Sequence, residues 1–442
     1  MNALSIIPPA FFAALLFLPL AASADTCLTT DCHADISAKK NLHSPVEEGD
    51  CLLCHIQNAP KHPGGEGDPF ELIQGAELCY QCHDTMGQKK VVHYPVADGD
   101  CLSCHNPHGA EGRFLLPNDE DQSETCMQCH DPELFEQEHL HGPVAVGACT
   151  ECHDPHESDH QARLKTDLRQ TCLKCHVTMA EGMASAKVVH AAAQEQGCTT
   201  CHNPHSAPLP QLLSEAMPEL CFNCHETVKE TADTAEVKHK ALYRDRSCGT
   251  CHATHYSEFD ALLPLSQKDT CLSCHGKDDF KKTDALRNIR KELEGKTVLH
   301  GPIQDGECAA CHSPHGSDNT RLLTGPYPDA FYAPYKEGSY DFCLQCHNKS
   351  MLSFPDTSIY TEFRNGKQNL HFLHVADPRK GRTCRACHQP HASDSEKLIS
   401  KKGSSFGAWN IPIRFAPTPT GGSCSPGCHK TVKYDRKDPA TN

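Results

Sequence analysis

The chain has little of what builds an ordinary protein core. Leucine, isoleucine, valine and phenylalanine together number 79 of 442 residues, below the roughly one-fifth that, with high net charge, marks chains unable to fold unaided. Tryptophan occurs once and aromatics make up 6%. Beyond the first 24 residues nothing resembles a membrane span, which takes about 20 consecutive apolar residues. No Gly-rich phosphate loop, nucleophile constellation or carboxylate pair stands out, so phosphoryl and acyl transfer find no motif here. Positive charge is also scarce. Lys and Arg number 41 against 57 Asp and Glu, for a net charge of −16. That balance argues against nucleic acid as a partner and suits a basic patch on another protein.

Cysteine is what the chain has instead. All thirty cysteines fall into fifteen pairs, each followed at once by a histidine. Thirteen pairs have the form C-x-x-C-H: Cys51, Cys54 and His55; Cys79, Cys82 and His83; Cys101, Cys104 and His105; Cys126, Cys129 and His130; Cys149, Cys152 and His153; Cys172, Cys175 and His176; Cys198, Cys201 and His202. The series continues with Cys221, Cys224 and His225; Cys248, Cys251 and His252; Cys271, Cys274 and His275; Cys308, Cys311 and His312; Cys343, Cys346 and His347; Cys384, Cys387 and His388. The first and last are stretched: Cys27, Cys32 and His33, then Cys424, Cys428 and His429. C-x-x-C-H marks covalent attachment of c-type haem, with two thioethers to the macrocycle and the histidine beside the iron. Fifteen motifs with no cysteine left over imply about fifteen haems. Four-cysteine zinc sites use pairs two at a time, and fifteen is odd. Neither zinc nor a disulfide framework requires a histidine after every second cysteine, and thioredoxin-like C-x-x-C motifs are not expected in series.

Seventeen histidines remain, and fourteen fall one into each gap between motifs: His43, His62, His93, His108, His141, His156, His190, His205, His239, His255, His300, His315, His374 and His391. They are the candidate distal iron ligands. His139, His160 and His371 are surplus. The supply covers two imidazoles for every iron, which would fill both axial positions and fit electron transfer rather than catalysis. Sequence leaves open which distal histidine serves which iron.

The offsets expose a repeat, H-x-P-V-x-x-G-x-C-x-x-C-H-x-P-H, then a leucine pair or similar apolar patch, then a second C-x-x-C-H. First motifs begin at Cys51, Cys101, Cys149, Cys198, Cys248, Cys308 and Cys384, a period near fifty that lengthens late. Each unit holds two motifs and at least four histidines, enough to close coordination within the repeat. Repeats that cannot bury their own core stack into an extended array. The predicted fold is a haem-cored array of mostly irregular coil, with short helices and little strand.

Two regions are expected after an export signal: regular repeats over 25–275 with eleven motifs, and a looser 276–442 with four. Residues 1–24, an apolar stretch ending in Ala22-Ser23-Ala24, read as that signal, which places the mature chain in the periplasm, outer-membrane-associated or extracellular. Leu286, Ile289 and Leu293 predict a helix within 276–299. The aromatics Tyr327, Phe331, Tyr332, Tyr335, Tyr340 and Phe342 are expected to pack on haem edges, or else to form a partner surface. Residues 396–423, with Trp409, read as a long loop, and 430–437 as a frayed basic terminus.

The doubled motif, with H-x-P-V before it and x-P-H after it, resembles the multihaem cytochromes c with paired C-x-x-C-H repeats. It is similar to the periplasmic decahaem subunits of porin–cytochrome conduits, though with more motifs and an irregular last third. The resemblance covers about residues 27–429. It implies electron transfer through bis-histidine haems, with other redox proteins, and in a conduit an outer-membrane β-barrel, as partners. A multihaem reductase of a nitrogen or sulfur oxyanion, or a filament-forming cytochrome, is the alternative. No C-x-x-C-K variant is present.

Overall fold

The computed structural model describes residues 27–28, 32–58, 62, 69–118, 121–244, 246–279, 285–401, 403, 405–406 and 409–442; the expected export signal lies outside them. Elements are short, and the longest described helices, Val177–Ser185, Glu226–Thr234 and Gln267–His275, run nine residues each. No described helix is long and apolar enough to cross a membrane.

The repeat consensus has a direct conformational reading. In H-x-P-V the histidine is extended, with φ −70 and ψ 138 at His43 and nearly the same values at His93, His141 and His300. It caps a one-turn helix whose proline sits in the first turn, where its missing N–H costs nothing. The consensus glycine ends that turn at positive φ, +73 at Gly99 and +82 at Gly306, where a side chain would be strained. The chain then enters a 3-10 turn over the first cysteine pair, as at Cys101–Ser103 and Cys308–Ala310.

By packing, the chain divides into two compact units, residues 1–175 with 202–213, and residues 176–201 with 214–442. Within the first, three antiparallel ladders join the residues before one repeat's H-x-P to those after the next repeat's P-H. They pair Asn41–Leu42 with Gly109–Ala110, Val91–Val92 with Glu157–Ser158, and His139–Leu140 with Ser206–Ala207. The second unit repeats the device between Val188–Val189 and Tyr256–Ser257, between Val298–Leu299 and Ala392–Ser393, and at the Val237↔Ser317 bridge. Gly109 shows why the contact is close, since a Cβ there would lie 2.9 Å from the Asn41 carbonyl oxygen.

Among the described residues eight of the eighteen buried apolar residues are alanines, Ala110, Ala207, Ala232, Ala386 and Ala392 among them. One aromatic core stands out in the second unit, where buried Tyr340, Leu352 and Val375 pack with Tyr327, Tyr335, Leu344 and Met351. Within the predicted aromatic cluster the rings also pack on one another, Tyr335 on Tyr340 and Phe331 on Tyr332.

Three expectations for the last third are corrected. The 276–299 helix is confined to Ile289–Leu293, and Leu286 lies outside it, exposed. The 396–423 segment contains strands, Ser405–Phe406 paired with Trp409–Asn410, and Ala416–Thr418 paired with Gly421–Cys424. The basic tail is ordered, because Val432–Asp435 adds a third strand against Gly421–Cys424, and the Asn365 side chain accepts from Ala440 and donates to its carbonyl. Gly421 and Gly422 carry no strand propensity, so pairing rather than composition makes this sheet.

Candidate cofactor-binding site

Most cysteine pairs are held in a turn that returns the histidine to the first cysteine. The amide of His105 donates to the Cys101 carbonyl at 3.1 Å, and that of His83 to Cys79 at 2.9 Å. First motifs of each repeat lie on 3-10 turns and second motifs on helix ends, such as Ser123–Cys126 and Gln267–His275.

The motif histidines meet the predicted distal histidines ring to ring. His43 faces His83 at 6.1 Å between centroids, His93 faces His130 at 6.1 Å, His190 faces His225 at 6.1 Å, His239 faces His275 at 6.2 Å, and His300 faces His347 at 6.0 Å. In this set the histidine that opens each repeat serves the second motif of its own repeat. The x-P-H histidine does the opposite, reaching back to the first motif of the preceding repeat. His108 faces His55 at 5.9 Å, His156 faces His105 at 5.9 Å, His205 faces His153 at 5.9 Å, His315 faces His252 at 6.1 Å, and His391 faces His312 at 6.4 Å. Half of the coordination thus interlocks neighbouring repeats instead of closing within one. The ladders explain this, because the His43 amide donates to the His108 carbonyl and the His93 amide to that of His156. One segment pair therefore fixes the ligands of two different motifs.

The spacing suits an intervening metal. Two metal–nitrogen bonds of about 2 Å, with each ring centroid about 1 Å further back, span about 6 Å. No group of three or more His, Cys, Asp or Glu able to hold an ion occurs among the described residues. Each ring pair offers two ligands, which fits an ion already held by a macrocycle.

The far ring nitrogens are also committed. His105, His153, His202, His252, His312 and His388 each place Nδ1 at 2.7 to 2.9 Å from a carbonyl nine residues on, those of Phe114, Ala162, Gln211, Ala261, Arg321 and Lys397. Each acceptor residue and its successor are left-handed, as with Phe114 at φ 56 and Leu115 at φ 59. For non-glycine residues that conformation costs roughly 1–2 kcal/mol each. It turns the carbonyl onto the imidazole, and bridges such as His153↔Leu164 and His312↔Leu323 hold it there. The apolar pair seen in the sequence marks this turn. His43, His93 and His239 place Nδ1 against the carbonyls of Pro107, Pro155 and Pro314 at 2.8 to 2.9 Å. An Nδ1–H donated to a carbonyl leaves Nε2 with its lone pair for iron.

Burial pushes many of these imidazoles below their usual pKa, among them His156, His205, His275, His312, His315 and His388, favouring the neutral form a metal needs. Thiols of successive motifs touch. A hydrogen bond from Cys126 lowers Cys149 to about 7, one from Cys221 lowers Cys248 to about 6, and one from Cys271 lowers Cys308 to about 7.

The two ends depart from the rule. At the stretched first motif His33 faces His62 at 6.2 Å, nearly coplanar at 5°. Near the C-terminus the histidine counted as surplus, His371, faces His388 at 6.5 Å. It is partly buried, desolvation lowers its pKa to about 4, and its Nδ1 lies 2.7 Å from Thr361 Oγ1. His374, one turn along the helix Leu370–Val375, donates its Nδ1–H to the Leu370 carbonyl at 2.7 Å and lies in the field of His429, the histidine of the stretched last motif. The i, i+3 spacing of His371 and His374 was the available signal. Of the other candidates, His141 caps Gly142–Ala145 and donates its amide to the His205 carbonyl, His176 caps Val177–Ser185, and His255 accepts from the His190 amide. Among the described residues His139 and His160 stand outside these ring pairs; His139 lies on a ladder strand and His160 caps a turn.

The model of the doubled CXXCH motif family matches seven segments, 43–88, 93–134, 141–181, 190–230, 239–280, 300–352 and 377–406, about two-thirds of the chain. The chain belongs to the doubled CXXCH motif family. It is a multihaem c-type cytochrome, its cysteine pairs mark covalently bound haem c, and its role is electron transfer. All thirteen strict motifs lie inside the matched segments, and the stretched motifs at Cys27 and Cys424 lie outside. Six of the matches begin at the histidine that opens a repeat, His43, His93, His141, His190, His239 and His300. No curated protein matches the chain.

Proposed function

We propose that the chain holds fifteen haems, each iron between two imidazoles, and conducts electrons along them in periplasmic-to-extracellular respiration. The observation that carries this reading is the run of paired imidazoles about 6 Å apart, each described pair joining a motif histidine to a distal one. Bound haem supplies the one-electron Fe(III)/Fe(II) couple. The residues do the rest. Cysteine pairs would hold each macrocycle, paired imidazoles would ligate its iron, and the carbonyls at Nδ1 would set the donor strength of those ligands.

Export followed by haem attachment in the periplasm fits the apolar segment at residues 1–24. Partners are then other redox proteins and, for passage through an outer membrane, a β-barrel, since backbone crossing hydrocarbon must satisfy its own polar groups. The test is reconstitution in liposomes with an entrapped acceptor dye and an external reductant. Dye reduction that requires both this protein and a barrel supports the conduit. Rapid exchange with soluble cytochromes but no barrel association would replace it with a periplasmic shuttle. Turnover of a nitrogen or sulfur oxyanion together with a native high-spin fraction would make it a reductase, and polymerisation into filaments would favour the filament-forming cytochrome.

A further inference from the structure

Where the regular repeats aim a backbone carbonyl at the far nitrogen of an axial imidazole, one distal histidine receives a carboxylate. His391 Nδ1 lies 3.3 Å from Glu292 Oε2, and the other carboxylate oxygen of Glu292 is paired with the Arg287 guanidinium. Both partners of the His391–Glu292 contact are largely buried, at 22% and 23% side-chain exposure. Glu292 comes from the helix Ile289–Leu293, inside the insertion that lengthens the fifty-residue period. Lys296, on the same insertion, pairs with Asp394 at 3.0 Å just beyond His391, and the His300 amide donates to the His391 carbonyl at 3.1 Å. The insertion is thus held against the segment that carries His391. The ring pair it touches, His312 and His391, is also strongly tilted, at 41°.

We propose that Glu292 is a positioning residue that lowers the reduction potential of the haem attached at Cys308 and Cys311, whose other imidazole, His312, keeps its carbonyl partner at Arg321, and so sets it apart from haems without a carboxylate at either ring. This rests on the bis-histidine reading above. A carboxylate accepting from Nδ1–H draws the proton away and gives the imidazole more anionic character. A more basic ligand stabilises Fe(III) over Fe(II). A charged acceptor does this more strongly than a neutral carbonyl. Arg287 opposes it: its charge is shared with Glu292 and also acts on His391. The net potential is set by the balance of the two, so the insertion works as a local adjuster on one site in the array.

The test is a spectroscopically monitored redox titration of the full haem-loaded protein and three variants, Glu292→Gln, Glu292→Asp and Arg287→Gln. Glu292→Gln should keep haem content and low-spin character while about one haem equivalent in fifteen moves to a higher potential. Glu292→Asp should restore most of the parent curve. Arg287→Gln should move the same fraction the other way, because the carboxylate then acts unopposed. Opposite signs are a signature that a purely structural contact would not give. Superimposable curves for Glu292→Gln and the parent would overturn the proposal, and so would a Glu292→Gln protein that turns high-spin, since the residue would then serve only to place His391. If the parent itself lacks paired-imidazole spectra, the reading beneath has failed instead, and haem count and spin state report that separately.

Discussion

Replacing His371 by alanine separates the account from what residue counting alone gives. Counting places His371 in surplus, so its loss would change nothing. In the structure His371 faces the motif histidine His388 at 6.5 Å with rings 18° from parallel, and it lies partly buried beside Phe363 with Nδ1 on the Thr361 hydroxyl at 2.7 Å. The backbone does not depend on the side chain, because the buried Asn369 caps the helix by accepting from the amides of residues 371 and 372 and donates its own side-chain N–H groups to the Met351 and Phe354 carbonyls at 2.8 Å. The helix should survive, leaving a cavity the size of an imidazole. Large-to-small changes at such sites cost roughly 2–5 kcal/mol, and the Thr361 hydroxyl keeps the bond it accepts from the Phe363 amide at 3.0 Å. One iron loses an axial ligand, so about one-fifteenth of the haem should become high-spin and bind carbon monoxide that the parent does not. Added imidazole should enter the cavity and reverse both changes. Electron paramagnetic resonance with spin quantitation reads this, with His139→Ala and His160→Ala as controls that stay low-spin. An unchanged His371→Ala spectrum would refute the pairing and return His371 to the surplus.

The left-handed turns give a second test. Ala261, at φ 55, aims its carbonyl at His252 Nδ1 over 2.8 Å. Ala261→Gly should hold or raise resistance to denaturant by up to about 1 kcal/mol with an unchanged spectrum. Ala261→Pro, fixed near φ −65, should lose that bond, costing about 1 kcal/mol or more, and raise the potential of one haem; equal behaviour of the two variants would count against the carbonyl's role. In the C-terminal sheet a Cβ on Gly421 would collide with the Tyr434 carbonyl, so Gly421→Val should release residues 432–442 to limited proteolysis while the remaining haems stay bound. A protected tail in that variant would show that the strand pairing does not hold it.

How much was legible in the sequence depended on whether a feature was chemical or conformational. The cysteine pairs, their histidines and the distal set could be read directly, because haem attachment demands those atoms in that order. The partner of each iron could not. His108 and His105 are three residues apart yet belong to different ring pairs, and only the ladder between Asn41–Leu42 and Gly109–Ala110 decides that. The tandem left-handed residues were hidden for the opposite reason. Leu115, Arg321 and Lys397 are poor candidates for positive φ, and tertiary hydrogen bonding overrides their preference. His371 was missed because fourteen gaps had each already yielded one histidine. The terminal sheet was missed because Gly421-Gly422-Ser423-Cys424 has no strand signature until Val432–Asp435 lies beside it.

The central claim, that every motif carries a haem held between two imidazoles, is tested most directly by intact-mass measurement of the denatured protein paired with spin quantitation of the native one. The account predicts a mass above the apo-polypeptide by fifteen haems and an iron population that is low-spin throughout. Thirteen haems would mean the stretched motifs at Cys27 and Cys424 are empty despite the His33–His62 pair. A substantial high-spin fraction in the unmodified protein would contradict the saturated coordination on which the electron-transfer reading stands.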